Sequence, residues 1–269
     1  MKHKRLSEEG FGEKGNYTII LPIDQGVEHG PVDAFYATDH PEMLDIDYQV
    51  DFIAELLHEG LVGATALPKR TANLLCKKYP HLSKDVILKL NHGNNLNQDL
   101  EPSQAVYATS LDAANMGGIG YTIYPGSPKQ DEMIDYFGRV QYCKPDNVKS
   151  ILWSYPRGNF KRGSTMYFAE SNRVIMHAAY MAAQLEPDVI KVKMPTDADD
   201  LSNIVKAACG IPVVFSGGRY TDPQHMVLYA ERIAKAGGYG MIVGRNVFQR
   251  EPDKAKNLLR DIHKIFRES

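Results

Sequence analysis

Asp188-Val189-Ile190-Lys191-Val192-Lys193-Met194 is an apolar run interrupted by two lysines. Branched aliphatic residues favour extended backbone, and in a strand residues two apart share a face. Lys191 and Lys193 therefore stand on one side, with Ile190, Val192 and Met194 on the other. A lysine is almost never fully buried unless it is paired or functional. A structural ion pair is one explanation. The other is chemical: an amine held in an apolar wall beside a second cation has its pKa pushed down, and the neutral form attacks carbonyls to give a Schiff base.

Working outward from this run, strand-like segments recur at 17–24, 63–68, 86–91, 120–124, 150–155, 188–194, 212–216 and 240–244. Amphipathic helical patterns separate them, clearest at 49–58, 103–116, 130–142, 172–185, 200–208, 223–236 and 252–266. Strands alternating with helices imply a parallel sheet, and eight such units imply closure into a barrel. The predicted fold is α/β, a single (β/α)8 TIM barrel with eight parallel strands, occupying 1–269 as one domain. A length of 269 residues suits one such barrel better than two average domains. Two stretches exceed simple connections, 30–45 after the first strand and 157–171 after the fifth. Loops that follow barrel strands lie on the active-site face, so both are expected to be lids, substrate walls or subunit contacts.

Charge is balanced, with 31 Lys and Arg against 33 Asp and Glu, so no global field favours nucleic acid or a membrane surface. The expected partner is a small molecule or another copy of the chain. Cys76, Cys143 and Cys209 are far apart and odd in number, which suits a reducing, cytoplasmic setting. The first 14 residues lack the apolar stretch of a signal peptide, and no later run reaches membrane-spanning length.

Polar residues close the predicted strands: Asp24, Asn91, Tyr124, Tyr155, the lysine pair, Ser216 and Arg245. Strands do become polar as they leave a core, but here an acid, a phenol, an amine and phosphate donors converge on one rim. Ser216-Gly217-Gly218 and Gly244-Arg245-Asn246 follow the seventh and eighth strands, where barrels of this kind commonly hold phosphate on backbone amides. Arg245 adds a forked donor. In Trp153-Ser154-Tyr155-Pro156-Arg157-Gly158, the two aromatics share a face, either as barrel packing or with the Tyr155 phenol as an acid or base. Arg157 suits a second phosphate or a surface ion pair.

The opening strand runs into Leu21-Pro22-Ile23-Asp24-Gln25-Gly26-Val27-Glu28-His29-Gly30. Together with Tyr121-Thr122-Ile123-Tyr124-Pro125-Gly126-Ser127, the 153–158 segment, 216–218 and 243–246, this resembles the archaeal-type class I fructose-bisphosphate aldolases, within the wider Schiff-base aldolases that include deoxyribose-phosphate aldolase. The resemblance spans about 17–250, with the motifs in the family's order. It implies a cofactor-free, metal-independent lyase in which Lys191 forms the Schiff base, Tyr155 transfers the proton and Asp24 assists the carbinolamine steps. It further implies that Trp153 lines the substrate, that Ser216, Gly217, Gly218, Gly244 and Arg245 hold one phosphate, and that Arg157 holds the other.

It is the resemblance that selects Lys191 over Lys193, since both share a face. It also implies a homo-oligomer. The residues agree with metal-free chemistry: the nine histidines show no clustered ligand motif, and Glu28 and His29, adjacent on an extended chain, are expected to brace the first loop. Deoxyribose-phosphate aldolase itself fits less well, because that family carries a second lysine where this chain has Ser216. Related aldolases or synthases acting on tagatose bisphosphate or amino-dideoxy-heptulosonate-type ketose phosphates are the alternatives, and a non-catalytic sugar-phosphate-binding protein is the alternative of another class.

Overall fold

A computed structural model describes all residues except 37–38, 95–100, 159, 163–164 and 198–199, together with the side chains of 161, 162 and 167. Eight parallel strands form the centre: β1 (Asn16–Pro22), β2 (Ala64–Leu67), β3 (Val86–Lys89), β4 (Gly118–Ile123), β5 (Lys149–Ser154), β6 (Val189–Val192), β7 (Val213–Ser216) and β8 (Gly240–Ile242). Each pairs with its sequence neighbour, and β8 pairs back onto β1 with Gly240 opposite Thr18, which closes the barrel. Helices α1 (Ile46–His58), α2 (Lys69–Lys78), α3 (Gln130–Cys143), α4 (Asn172–Ala183), α5 (Ser202–Ala207), α6 (Pro223–Lys235) and α7 (Pro252–Glu268) connect or follow the strands.

The strands are buried on both faces, so each carries two apolar sets with period two. Ile190 and Val192 of β6 join the layer between strands and helices, whereas Val189 joins the barrel interior with Ile20, Ile87 and Val214. Lys191 follows Val189 on the inner face. Helix starts are set by local chemistry. Asp45 accepts the amides of Asp47 (2.8 Å) and Tyr48 (3.3 Å) at α1, and Pro223 and Pro252 open α6 and α7 behind Asp222 and Glu251.

The charged amino terminus has a structural role that its composition hides. Lys2–His3 pairs with β1, and Leu6 and Phe11 close the lower end of the barrel, with the Phe11 ring 5.5 Å from that of Tyr239. Asp85 is buried against the Arg5 guanidinium and accepts the Ser7 amide at 3.0 Å. The interior is sealed below, so a ligand enters from the carboxyl ends of the strands.

One expectation needs correction. The predicted helix over 103–116 does not form. Ala105–Val106 instead pairs antiparallel with Asn91–His92, and a Thr109/Asp112 capping box starts only a short 3-10 turn, Ser110–Ala113. Conversely, α2 was hidden because it buries only Thr71, Ala72 and Leu75, too few apolar positions for a clear period.

Candidate active site

A cavity of about 620 Å³ opens at the carboxyl ends of the strands, and its wall includes Asp24, Trp153, Tyr155, Arg157, Lys191, Ser216, Gly217, Gly218, Gly244 and Arg245. The ten residues singled out in the sequence therefore meet at one place. Register explains part of this. Lys191 lies opposite Trp153 of β5, and Trp153 lies opposite Thr122 of β4, so the three form one row across the inner surface.

Lys191 is 5% exposed, with its Nζ 4.8 Å from the Trp153 ring and 5.4 Å from the Tyr155 ring. No acceptor holds this amine among the described residues. Burial, and then the positive charges of Lys89 and Arg245, push its pKa down to about 7 against the pull of Asp24 and Glu28. A substantial neutral fraction therefore exists near pH 7.

The second cation is not the one expected. Lys193 lies beyond the end of β6 and its Nζ binds Glu170 Oε1 at 2.6 Å, which ties up the amine. The nearer cation is Lys89 of β3, 2% exposed, with its Nζ 5.1 Å from the same Trp153 ring. It donates to the Asn91 carbonyl (2.7 Å), Asn91 Oδ1 (3.2 Å) and Thr122 Oγ1 (2.7 Å). Three acceptors match the three N–H bonds of an ammonium and leave no lone pair for attack. Asn91, read in the sequence as a polar strand ending, is thus a brace. Its amide also clamps the Thr122 backbone through bonds of 2.8 Å in both directions.

Tyr155 is held by its own amide on the Ile123 carbonyl (3.1 Å), with the Ser216 side chain beside its phenol. Burial, followed by the charges of Asp24 and Glu28, drives its phenol well above the ordinary tyrosine range, with Arg157 and Ser216 opposing. The resting group is a phenol. It is positioned first to donate a proton, and a base role must follow from that donation.

At one end of the cavity Ser216-Gly217-Gly218 and Gly244-Arg245 face each other. Gly218 has φ +72°, a conformation glycine adopts freely, and nothing crowds the position where a Cβ would stand. Arg245 Nε is buried without a hydrogen-bond partner among the described residues, and Arg219 adds a second guanidinium to the same wall. Asn246 is 1% exposed and donates to the carbonyls of Gly217 (3.0 Å) and Arg219 (2.8 Å), so it joins the two loops instead of facing a ligand.

At the other end Arg157 lies 4.8 Å from the Tyr124 ring, and burial pushes the Tyr124 phenol up to about 12. His92 Nε2 is buried there without a hydrogen-bond partner among the described residues. Arg157 and Glu170 come from the 157–171 stretch, so two of its described residues form cavity wall as expected. The described part of 30–45 is not. Phe35 packs on Phe248, and Ala34 accepts the Gln249 side chain at 2.8 Å, so this stretch buttresses the short Arg245–Phe248 helix.

Sequence reasoning missed Lys89, Arg219 and Glu170 and misplaced Glu28 and His29. The latter pair sits on a short helix, Gln25–His29, and both residues line the cavity. The signal for Lys89 was present: Val86-Ile87-Leu88-Lys89-Leu90 interrupts an apolar run with a lysine, as 188–194 does.

Gly120 makes the arrangement possible. A Cβ there would stand 2.6 Å from Trp153 Cζ3 and 3.1 Å from Lys89 Cδ. Gly120→Ala is expected to push the indole out of place, destabilising the fold by about 1–3 kcal/mol. Thermal unfolding and ligand-induced changes in Trp153 fluorescence would check this, since Trp153 is the sole tryptophan.

Comparison with known proteins follows the same lines. The family model described as DeoC/LacD family aldolase matches residues 18–250. A class 1 fructose-bisphosphate aldolase of Thermoproteus tenax is 33% identical over 247 residues, covering 89% of this chain and 86% of that protein. One of Halobacterium salinarum is 36% identical over 240 residues, covering 87% and 84%. Among solved structures, an archaeal fructose-1,6-bisphosphate aldolase with its catalytic lysine covalently bound to the carbinolamine intermediate superposes with a TM-score of 0.75 at 28% identity, covering 93% of this chain and 94% of that one.

Proposed function

The chain belongs to the DeoC/LacD family of aldolases, and on that premise we propose that it is a class I aldolase that reversibly cleaves fructose 1,6-bisphosphate through a Schiff base on Lys191. The observation that carries this reading is one buried amine, with no acceptor among the described residues, in the wall of a cavity that also holds phosphate donors.

The chemistry can be followed atom by atom. Neutral Lys191 attacks the ketose carbonyl and forms a carbinolamine. The Tyr155 phenol gives its proton to the departing hydroxyl, which leaves as water, and Asp24 stabilises the cationic iminium. The phenolate so formed, beside that cation, takes the proton from the hydroxyl on carbon four. The bond between carbons three and four breaks, its electrons move into the iminium to give an enamine, and glyceraldehyde 3-phosphate departs. Protonation and hydrolysis of the enamine release dihydroxyacetone phosphate and restore Lys191. Trp153 walls the reacting carbons. Ser216, Gly217, Gly218, Gly244 and Arg245 hold one phosphate, and Arg157 holds the other.

Among the described residues no group of three or more His, Cys, Asp and Glu side chains is placed to hold a metal. The test is aldol cleavage of fructose 1,6-bisphosphate with and without chelator, in the wild type and in Lys191→Ala. Chelator-resistant cleavage that the substitution abolishes is expected. Loss of activity on chelation would overturn the reading, and a panel with tagatose bisphosphate and other ketose phosphates tests the substrate assignment.

Two further outcomes follow. Because the neutral amine reacts, kcat/KM should rise as pH increases through about 7, where Lys191 loses its proton, and fall on the acid side. A pH profile checks this. Arg245→Ala removes a charge-assisted phosphate contact and should raise KM roughly 10–100-fold with a smaller effect on kcat, measured by steady-state kinetics.

The physiological setting belongs to the same proposal. The reaction suits glycolysis or gluconeogenesis in the cytoplasm, and the chain is taken to act as one barrel domain. No helix among the described residues is long and apolar enough to cross a membrane. Self-association into a homo-oligomer belongs to the same reading and would be measured by light scattering.

A further inference from the structure

We propose that Lys89 is a positioning residue, a fixed ammonium across the Trp153 indole that keeps Lys191 in its neutral, nucleophilic form. The proposal rests on the reading of Lys191 as the Schiff-base lysine and adds what prepares it.

The two amines share one indole, at 5.1 Å for Lys89 and 4.8 Å for Lys191, and both are almost wholly buried. Two like charges in such a place raise each other's energy, so one proton is readily given up. Hydrogen bonding decides which. Burial lowers Lys89 as well, to about 8, but three acceptors from Asn91 and Thr122 favour its charged form and it stays above Lys191, which has no acceptor among the described residues. The Asn91 clamp on the Thr122 backbone makes that cradle rigid. Gly120, the register partner of Lys89, leaves the gap through which the Lys89 side chain reaches Thr122 and Trp153.

The other charged groups around Lys191 do not replace Lys89. Asp24 and Glu28, from the end of β1 and the helix after it, pull both amines toward the charged form. Arg245 after β8 acts on Lys191 in the same sense as Lys89 but comes after it in effect. Lys193 is neutralised by Glu170 at 2.6 Å, and Tyr155 carries no charge at rest. His92, beside Lys89, is held neutral by burial and by that same ammonium.

The test uses the ligand-free protein with 13C-labelled lysine, followed by NMR against pH, with Trp153 fluorescence as a second readout. In the wild type Lys89 should remain protonated through the midpoint of Lys191. In Lys89→Met that midpoint should move up by about one pH unit, the size expected of a unit charge at about 10 Å and an effective dielectric near 20. The acid limb of kcat/KM should move with it. Thr122→Val, which removes one acceptor and so weakens the hold on the Lys89 proton, should give a smaller shift in the same direction and serves if Lys89→Met does not fold. An unchanged Lys191 midpoint in a folded Lys89→Met protein overturns the proposal even if activity falls, because that result describes packing alone. Loss of the Lys89 proton before that of Lys191 in the wild type also overturns it. Absence of fructose 1,6-bisphosphate turnover in the wild type would defeat the aldolase reading separately, since the titration needs no substrate.

Discussion

Lys191→Met is expected to lower kcat/KM for fructose 1,6-bisphosphate cleavage by about 10⁴-fold or more, with the fold intact. Every later step depends on the covalent bond, because the electrons of the breaking carbon–carbon bond need the iminium as their acceptor. Neither remaining lysine can take over. Lys89 has all three donors engaged, and Lys193 is bound to Glu170. Methionine preserves most of the side-chain volume and contact with Trp153, so packing loss should be small. Replacing a buried amine by a thioether should leave thermal stability equal or raised. Activity above one part in about 10³ of wild type would show that another group forms the imine.

Tyr155→Phe ranks second, with an expected fall in kcat of roughly 10²–10⁴-fold. Its effect should fall on the steps on either side of the iminium. The phenol both protonates the departing carbinolamine hydroxyl and, once deprotonated, accepts the carbon-four proton. Slower dehydration should let the carbinolamine accumulate, which mass spectrometry of the quenched enzyme would detect as substrate-sized adduct. Substrate affinity should change little, because the two phosphates are held elsewhere, by Arg245 and its loops and by Arg157. A Tyr155→Phe enzyme with near-normal kcat would remove this group from the proton path and leave Ser216 or Asp24 to carry it.

Much of the fold could be read in the sequence because a parallel barrel writes itself as apolar runs at regular spacing. The 188–194 run separated Lys191 from Ile190 and Val192 correctly, since residues two apart in a strand share a face. The region 103–116 misled because apolar residues at helical spacing do not reveal that the neighbouring chain offers a strand edge at Asn91–His92.

Site residues at strand ends were accessible for a geometric reason: closure brings eight carboxyl ends to one rim, so a polar residue ending a strand has few other places to be. What could not be read was pairing across the rim. Glu170 meets Lys193 at the cavity wall, and nothing in the spacing of 23 residues encodes that. Lys89 was visible as a buried-strand lysine but not as the partner of Lys191, because β3 and β6 are neighbours only through the barrel interior. The adjacent pair Glu28 and His29 was read on an extended chain, whereas the chain turns helical directly after Asp24 and sends both side chains to the cavity wall.

The central claim is that Lys191 forms the covalent intermediate. Borohydride reduction in the presence of fructose 1,6-bisphosphate, followed by peptide mapping, tests it most directly. The expected result is one triose phosphate adduct per chain on Lys191, formed equally well after exhaustive chelation. An adduct on Lys193 or Lys89 instead, or no adduct during active turnover, would contradict the account.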